Sequence, residues 1–290
     1  MSQLRDLVRQ ELLQPVDPRV SAMAAAIAAR HGAASRAVVF YGSCLRQRQL
    51  EGLMLDFYLI VSDYRSAYDR RWLAVANRLI PPNVFPFGHE GLIAKYAVLS
   101  EADFHRLNGP ETRNVSVWAR FAQPSRLAWA SDPAAEGCAV ASIARAAPTL
   151  LCAALAVVPN DQPPLDLWRS AFALTYSAEL RAEKKEKGGS VVDADPERYL
   201  RFTAPALAAA RAESCRKHVS WRRRRIEGKL LSVARLAKAS ATFAGGAEYI
   251  AWKINRHAGT EIRLKSWQKR WPLLAALSLA PKLIRSKAVR

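Results

Sequence analysis

The chain opens with two stretches in which apolar residues recur every three or four positions, 2–13 and 17–31, with Pro15 and Pro18 between them. That period predicts two amphipathic helices, and the prolines mark the break. The pattern then changes. Ala37-Val38-Val39-Phe40-Tyr41 is an unbroken apolar run ending at Gly42-Ser43, which predicts a buried strand entering a turn. After the polar segment 46–52, a second run over 53–61 is β-branched and aromatic, broken only by Asp56. Residues 64–79 return to helical spacing and stop before Pro81-Pro82. Residues 92–99 predict a third strand, which contains Lys95. This order of strand, turn, helix and strand predicts an α/β (α+β) unit with a small mixed sheet and flanking helices.

Beyond Pro133 the pattern is helical throughout. Residues 139–158, 165–187 and 196–217 predict three helices rich in Ala and Leu, with a loop at Gly188-Gly189-Ser190. A basic amphipathic helix is expected over 220–241, starting near Trp221-Arg222-Arg223-Arg224-Arg225 and broken at Gly245-Gly246. Helical spacing resumes over 249–257. The end of the chain sets Trp267, Trp271 and an apolar run through Leu279 among Lys and Arg. The expected organisation is a sheet-based unit over 1–135, a helical domain over 136–245 and a basic amphipathic tail over 246–290. No internal repeat or low-complexity tract interrupts it.

Charge adds a partner to this picture. The 290 residues carry a formal net charge of +19. Residues 211–290 hold 20 Lys and Arg against 4 Asp and Glu, a net of +16. The first 210 residues hold 24 against 21, a net of only +3. An ordinary globular body is thus joined to a segment that should seek a polyanion, either an anionic membrane surface or nucleic acid. Cys44, Cys138, Cys152 and Cys215 form no C-x-x-C pair, so reduced thiols in a cytoplasmic protein are expected. The first residues mix acids with bases and have no apolar leader, and no long uninterrupted apolar run predicts a transmembrane helix. The five histidines show no metal-ligand spacing and are expected to be structural or superficial.

The chemistry is concentrated at Gly42-Ser43 and, 13 residues later, Asp56 on the next strand. Glycine lets a backbone approach phosphates closely, and the serine adds a donor. An ionised carboxylate inside an apolar strand is costly unless paired or metal-bound, so Asp56 is the sharpest single pointer. Together they suggest nucleotidyl transfer, in which a carboxylate-held divalent metal offsets the charge of the phosphates. A second acid two residues on would share the face of Asp56. That position is Tyr58.

Ordered pieces of the chain resemble the mitochondrial-type phosphatidate cytidylyltransferases of the translocator assembly and maintenance group. Tyr41-Gly42-Ser43 and Met54-Leu55-Asp56-Phe57 are similar to that family's Tyr-Gly-Ser-Gly and Met-Leu-Asp-Phe. The family likewise has no acid two residues further on. Residues 92–98 resemble its Ile-Lys-Tyr-Gly-Val strand, and 117–127 a segment ending Ala-Gly-Arg-Leu-x-Lys-Pro. Residues 174–181 are similar to Leu-Ser-Tyr-x-Gly-Asp-x-Arg, and Arg235, Lys238, Thr242 and Gly245 to a late Arg, Lys, Thr-Ala-Gly segment. The resemblance spans about 37–246. Cys44 replaces a glycine of the turn, Glu179 replaces an aspartate, and the family's Trp-His stretch is poorly matched by 66–79.

The resemblance implies a nucleotidyltransferase-like fold and a Mg²⁺-dependent reaction of CTP with phosphatidic acid, giving CDP-diacylglycerol and pyrophosphate. It implies Asp56, Lys95 and Glu179 as catalytic residues, with Asp56 on the metal. Gly42, Ser43 and Arg181 would bind the nucleotide, and Arg235 and Lys238 the lipid phosphate. A bacterial member would act at the inner face of the cytoplasmic membrane, held there by its tail, where Trp267, Trp271 and the leucines add interfacial burial. Two alternatives stand beside this reading. The fold could serve another acceptor, such as RNA, protein or a different lipid phosphate. It could also be a catalytically degenerate module binding nucleic acid through 222–225 and the tail.

Overall fold

The computed structural model describes residues 2–47, 49–159, 161–179, 191–212 and 220–242. Within them β1 (Ser35–Tyr41), β2 (Met54–Val61), β3 (Asn83–His89), β4 (Leu92–Ser100) and β5 (Ser125–Ala130) form one sheet in the order β3-β4-β2-β1-β5. β2 and β4 run parallel, and the other neighbours are antiparallel. The mixed α/β class expected from the pattern is what the chain adopts.

Helices cover both faces of this sheet, so its inner strands read as continuous apolar runs rather than alternating ones. On one face Val38, Phe40, Leu55, Phe57, Leu59 and Val98 pack with α2 (Pro18–Ala29), α4 (Tyr64–Ala67) and α5 (Arg71–Leu79). On the other face Val39, Tyr58, Ile60, Ala97 and Leu99 share a larger core with α1 (Ser2–Leu12), α6 (Glu101–Asn108) and α7 (Trp118–Phe121). The same core continues into α8 (Pro133–Ile143), α9 (Ala146–Leu155), α10 (Pro164–Ala178) and α11 (Pro196–Ala212). A last helix, α12 (Trp221–Thr242), packs against α10 and β3.

Several details depart from the pattern. β3 and β5 were not expected, and both are edge strands that pair on one side only. Pro86 and Gly88 in β3 and the partial exposure of β5 weaken the alternating signal of each. The helix expected over 64–79 is two, because Tyr68 and Arg70 are extended and Asp63 caps only the first. The helix expected over 139–158 begins earlier, at Pro133 capped by Asp132, and divides near Arg145. Pro133–Leu155 has a mean hydropathy of 1.7, long and apolar enough to cross a membrane, but 67% of that window is buried inside the protein. Cys44 and Cys138 are free, whereas Cys152 is disulfide-bonded, against the expectation of reduced thiols. The loop at 188–190, Arg181, Gly245-Gly246 and the whole tail over 246–290 lie outside the described residues.

Three polar joints lock the helical layers. Arg198 on α11 pairs with Glu11 on α1 through Nε and Nη2, and its Nη1 donates to the Ala122 carbonyl at 3.0 Å. Arg224 on α12 is buried and donates to the carbonyls of Thr112 and Arg113 at 3.2 and 2.8 Å. Trp221 Nε1 donates to the Ala153 carbonyl at 2.9 Å. Gly228 lets α12 lie directly on the end of α10, since a Cβ there would stand 2.2 Å from the Ala178 carbonyl oxygen. Arg224 is therefore a structural residue, and the run 222–225 is not a continuous phosphate-binding strip.

Candidate functional site

Strand register builds the site. Tyr41 on β1 is opposite Asp56 on β2, and Asp56 is opposite Lys95 on β4. One row across the sheet thus carries a phenol, a carboxylate and an amine on the face that the helical layers cover. Two residues along β2, Tyr58 continues that face into the core, where it packs on Tyr41 and Phe121. The row lies where β1 ends and β2 begins, so the side chains stand at the rim of the core rather than inside it.

The bend after β1 is shaped around the carboxylate. Gly42 has φ +96°, and a Cβ there would be 3.0 Å from Asp56 Oδ2. Glycine is required on both counts, for the left-handed backbone and for the close approach. Ser43, first residue of α3 (Ser43–Gln47), is exposed beside it. Cys44 points the other way, its thiol donating to the Met54 carbonyl at 3.4 Å inside the opposite core.

Lys95 Nζ lies 3.0 Å from Asp56 Oδ1 in an ion pair, with the two side chains 29% and 19% exposed. Oδ1 is buried and makes no hydrogen bond of good geometry among the described residues. Burial, and then the Asp56 charge, pushes the Tyr41 phenol well above the ordinary tyrosine range, so it remains a neutral donor.

The helical layers add a second group. Glu179, extended at the end of α10, approaches Arg120 of α7 at 3.7 Å. Arg120 Nη1 also donates to the Ser116 carbonyl and to Ser116 Oγ. Burial disfavours the Arg120 charge, but Glu179 with Tyr58, Tyr41 and Asp56 outweighs it and holds the guanidinium above its usual value. Arg235 of α12 feels Tyr58, Arg120 and Glu179, which puts it in the same cluster. Its Nε donates to the Pro81 carbonyl at 2.7 Å, while Nη2 is buried with no hydrogen-bond partner among the described residues. Lys238, one turn on, donates to the carbonyls of Ile80 and Pro82. Burial, with Arg235 nearby, lowers its amine to about 7.

The fold therefore brings Gly42, Ser43, Asp56 and Lys95 to one corner, with Glu179 and Arg235 reaching it from the helical layers. Lys238 is turned to the Pro81-Pro82 segment. Arg120 was not singled out in the sequence, although a charge inside the apolar run Val117-Trp118-Ala119-Arg120-Phe121 is the same signal that marked Asp56. His31 is structural, bridging the Ala67 carbonyl at 2.8 Å and the Tyr96 hydroxyl at 3.2 Å. Burial lowers its pKa.

Among the described residues no group of three or more His, Cys, Asp and Glu side chains gathers to hold a metal. Mg²⁺ commonly uses one or two protein carboxylates and takes its remaining ligands from water and substrate phosphates. Asp56, a partly exposed carboxylate against the glycine bend and paired with Lys95, fits that lesser share. The chain matches no protein-family model, and comparison with curated proteins finds no significant match.

Proposed function

We propose that this chain is a membrane-peripheral nucleotidyltransferase that joins CTP to phosphatidic acid, giving CDP-diacylglycerol and pyrophosphate. The observation that carries the nucleotidyl-transfer reading is the row Gly42 bend, Asp56, Lys95, in which the glycine both takes the left-handed backbone and lies against the carboxylate. The choice of CTP and phosphatidic acid rests on the family resemblance of the ordered motifs.

In this reaction an oxygen of the acceptor phosphate attacks the α-phosphorus of the nucleotide. The bond from that phosphorus to the bridging oxygen breaks, and pyrophosphate leaves with the electron pair. A phosphate monoester is already anionic at neutral pH, so no strong base is needed and positioning with charge neutralisation dominates. Asp56 would hold Mg²⁺, which supplies neutralisation of the triphosphate charge. The Gly42-Ser43 bend would lie along the β- and γ-phosphates. Lys95, already beside Asp56, would turn to a phosphate oxygen. Arg120 and Arg235 bring two more cations to the corner, with Ser116 holding Arg120 and Glu179 as the carboxylate beside it. Arg181 and the tail complete the proposal as a nucleotide contact and a membrane anchor. The protein would then work on the inner face of the cytoplasmic membrane.

The test uses purified protein, labelled CTP, Mg²⁺ and phosphatidic acid liposomes. Lipid-linked CMP should form, and Asp56→Ala should abolish it. Label entering RNA or protein would move the reading to another acceptor. Absence of turnover with tight, salt-sensitive RNA binding would replace it with a binding module.

A further inference from the structure

Helix α12 has an inner face that is anchored to the body of the protein. Trp221, Arg224, Gly228 and Arg235 point inward, onto the carbonyls of Ala153, Thr112, Ala178 and Pro81 respectively. A helix held in this way normally turns polar residues to water on the opposite side. Here the opposite side is apolar. Ile226, Leu230 and Val233, spaced four and three residues apart, are 54%, 66% and 55% exposed. Single exposed aliphatics are commonplace, but three in line on one helical stripe form a patch with a use.

The borders of the stripe say what fits it. Arg222 and Lys229 share that outward side and make no ion pair with the described residues. Glu227, the single acid of α12, is held by Arg223 at 2.6 Å and approached by Arg113 at 3.4 Å, so it leaves no negative charge on the stripe. An apolar line bordered by cations matches the boundary between acyl chains and anionic headgroups. Nucleic acid would instead favour cations or aromatic rings at the centre of the contact. The sequence that follows α12 continues the same interleaving, with Trp267 and Trp271 among Lys and Arg.

We infer that the outward face of α12 is an interfacial docking surface for an anionic bilayer. It adds a second contact to the tail proposed above, and it is read without turnover, so it stands or falls separately from nucleotidyl transfer.

The test places the photo-crosslinker benzoylphenylalanine at position 230 of the full chain. A control carries it at position 200, where Leu200 on α11 is 50% exposed but off this stripe. Vesicles contain equal parts phosphatidylcholine and phosphatidylglycerol, with no phosphatidic acid and no nucleotide. Crosslinks to lipid are expected from position 230 and not from position 200. The variant I226S/L230S/V233S should partition onto these vesicles roughly tenfold less or weaker still. Its thermal midpoint should fall by only a few degrees, because the three side chains are more than half exposed. Crosslinks from position 230 to the chain's own tail, to a second copy or to added RNA in place of lipid would overturn the inference. So would unchanged partitioning of the triple variant, or failure of the parent protein to float with the vesicles.

Discussion

Two arginines, each facing a glutamate, divide the molecule into a part that only holds and a part that can act. Arg198 meets Glu11 through two nitrogens and gives its third to the Ala122 carbonyl. Its guanidinium also lies 4.3 Å from the Phe202 ring centre. Each of its three nitrogens finds an acceptor, and the side chain is 3% exposed. Arg120 meets Glu179 at 3.7 Å, too long for a tight pair, and its side chain is 29% exposed. Around it are Arg235 Nη2, buried without a hydrogen bond among the described residues, and Asp56 Oδ1, which faces the Lys95 ammonium at 3.0 Å. Saturation marks a joint; unsatisfied capacity at a rim marks a place prepared for something else.

This contrast can be broken at several points. The largest effect should come from Arg198→Ala, which leaves Glu11 buried and uncompensated. It should lower the unfolding free energy by about 3–5 kcal/mol in urea titrations. An effect on stability no larger than that of Arg120→Gln would erase the distinction between the two arginines. Arg120→Gln itself should cost about 1–3 kcal/mol, with turnover of CTP falling more than stability does.

Gly42→Ala comes next. It forces a side chain into a left-handed backbone, worth about 1–2 kcal/mol, and presses a methyl against Asp56. Nucleotide turnover should fall well beyond that stability loss; equal activity with reduced stability would make the bend a turn and nothing more.

Lys238→Met should have the smallest effect and sharpens the electrostatics. The folded amine titrates near 7, whereas a free lysine titrates near 10.5. Between those values the unfolded chain binds the extra proton, so stability from this residue rises with pH across that window. Urea midpoints measured from pH 7 to pH 10 should show that rise in the parent and a flatter profile in the variant.

Much of the frame was legible because its signals are local. Continuous apolar runs mark β1, β2 and β4, and helical period marks the segments that become α8 to α12, though not the break near Arg145 or the end of α10 at Ala178. A lone carboxylate in an apolar strand pointed to Asp56, and the strand register places it beside Lys95 and the bend. The edge strands escaped because pairing on one side needs no continuous apolar run. Arg120, Arg224 and Arg198 were harder. Whether an arginine is a phosphate ligand or a carbonyl clamp depends on which backbone oxygens come near it, and for Arg198 and Arg224 those come from elements more than 70 residues away in sequence. The stripe on α12 was hidden for the opposite reason, since its residues look like an ordinary core face until the inner contacts are known.

The contact at Gly228 has one more consequence. With no side chain between them, α12 and the last turn of α10 meet as two hard surfaces, leaving no slack to absorb a displacement. Whatever presses on the outside of α12 therefore pushes on the backbone one residue before Glu179. The outer surface of the protein and the residue next to the Glu179 carboxylate are thus separated by a single helix backbone.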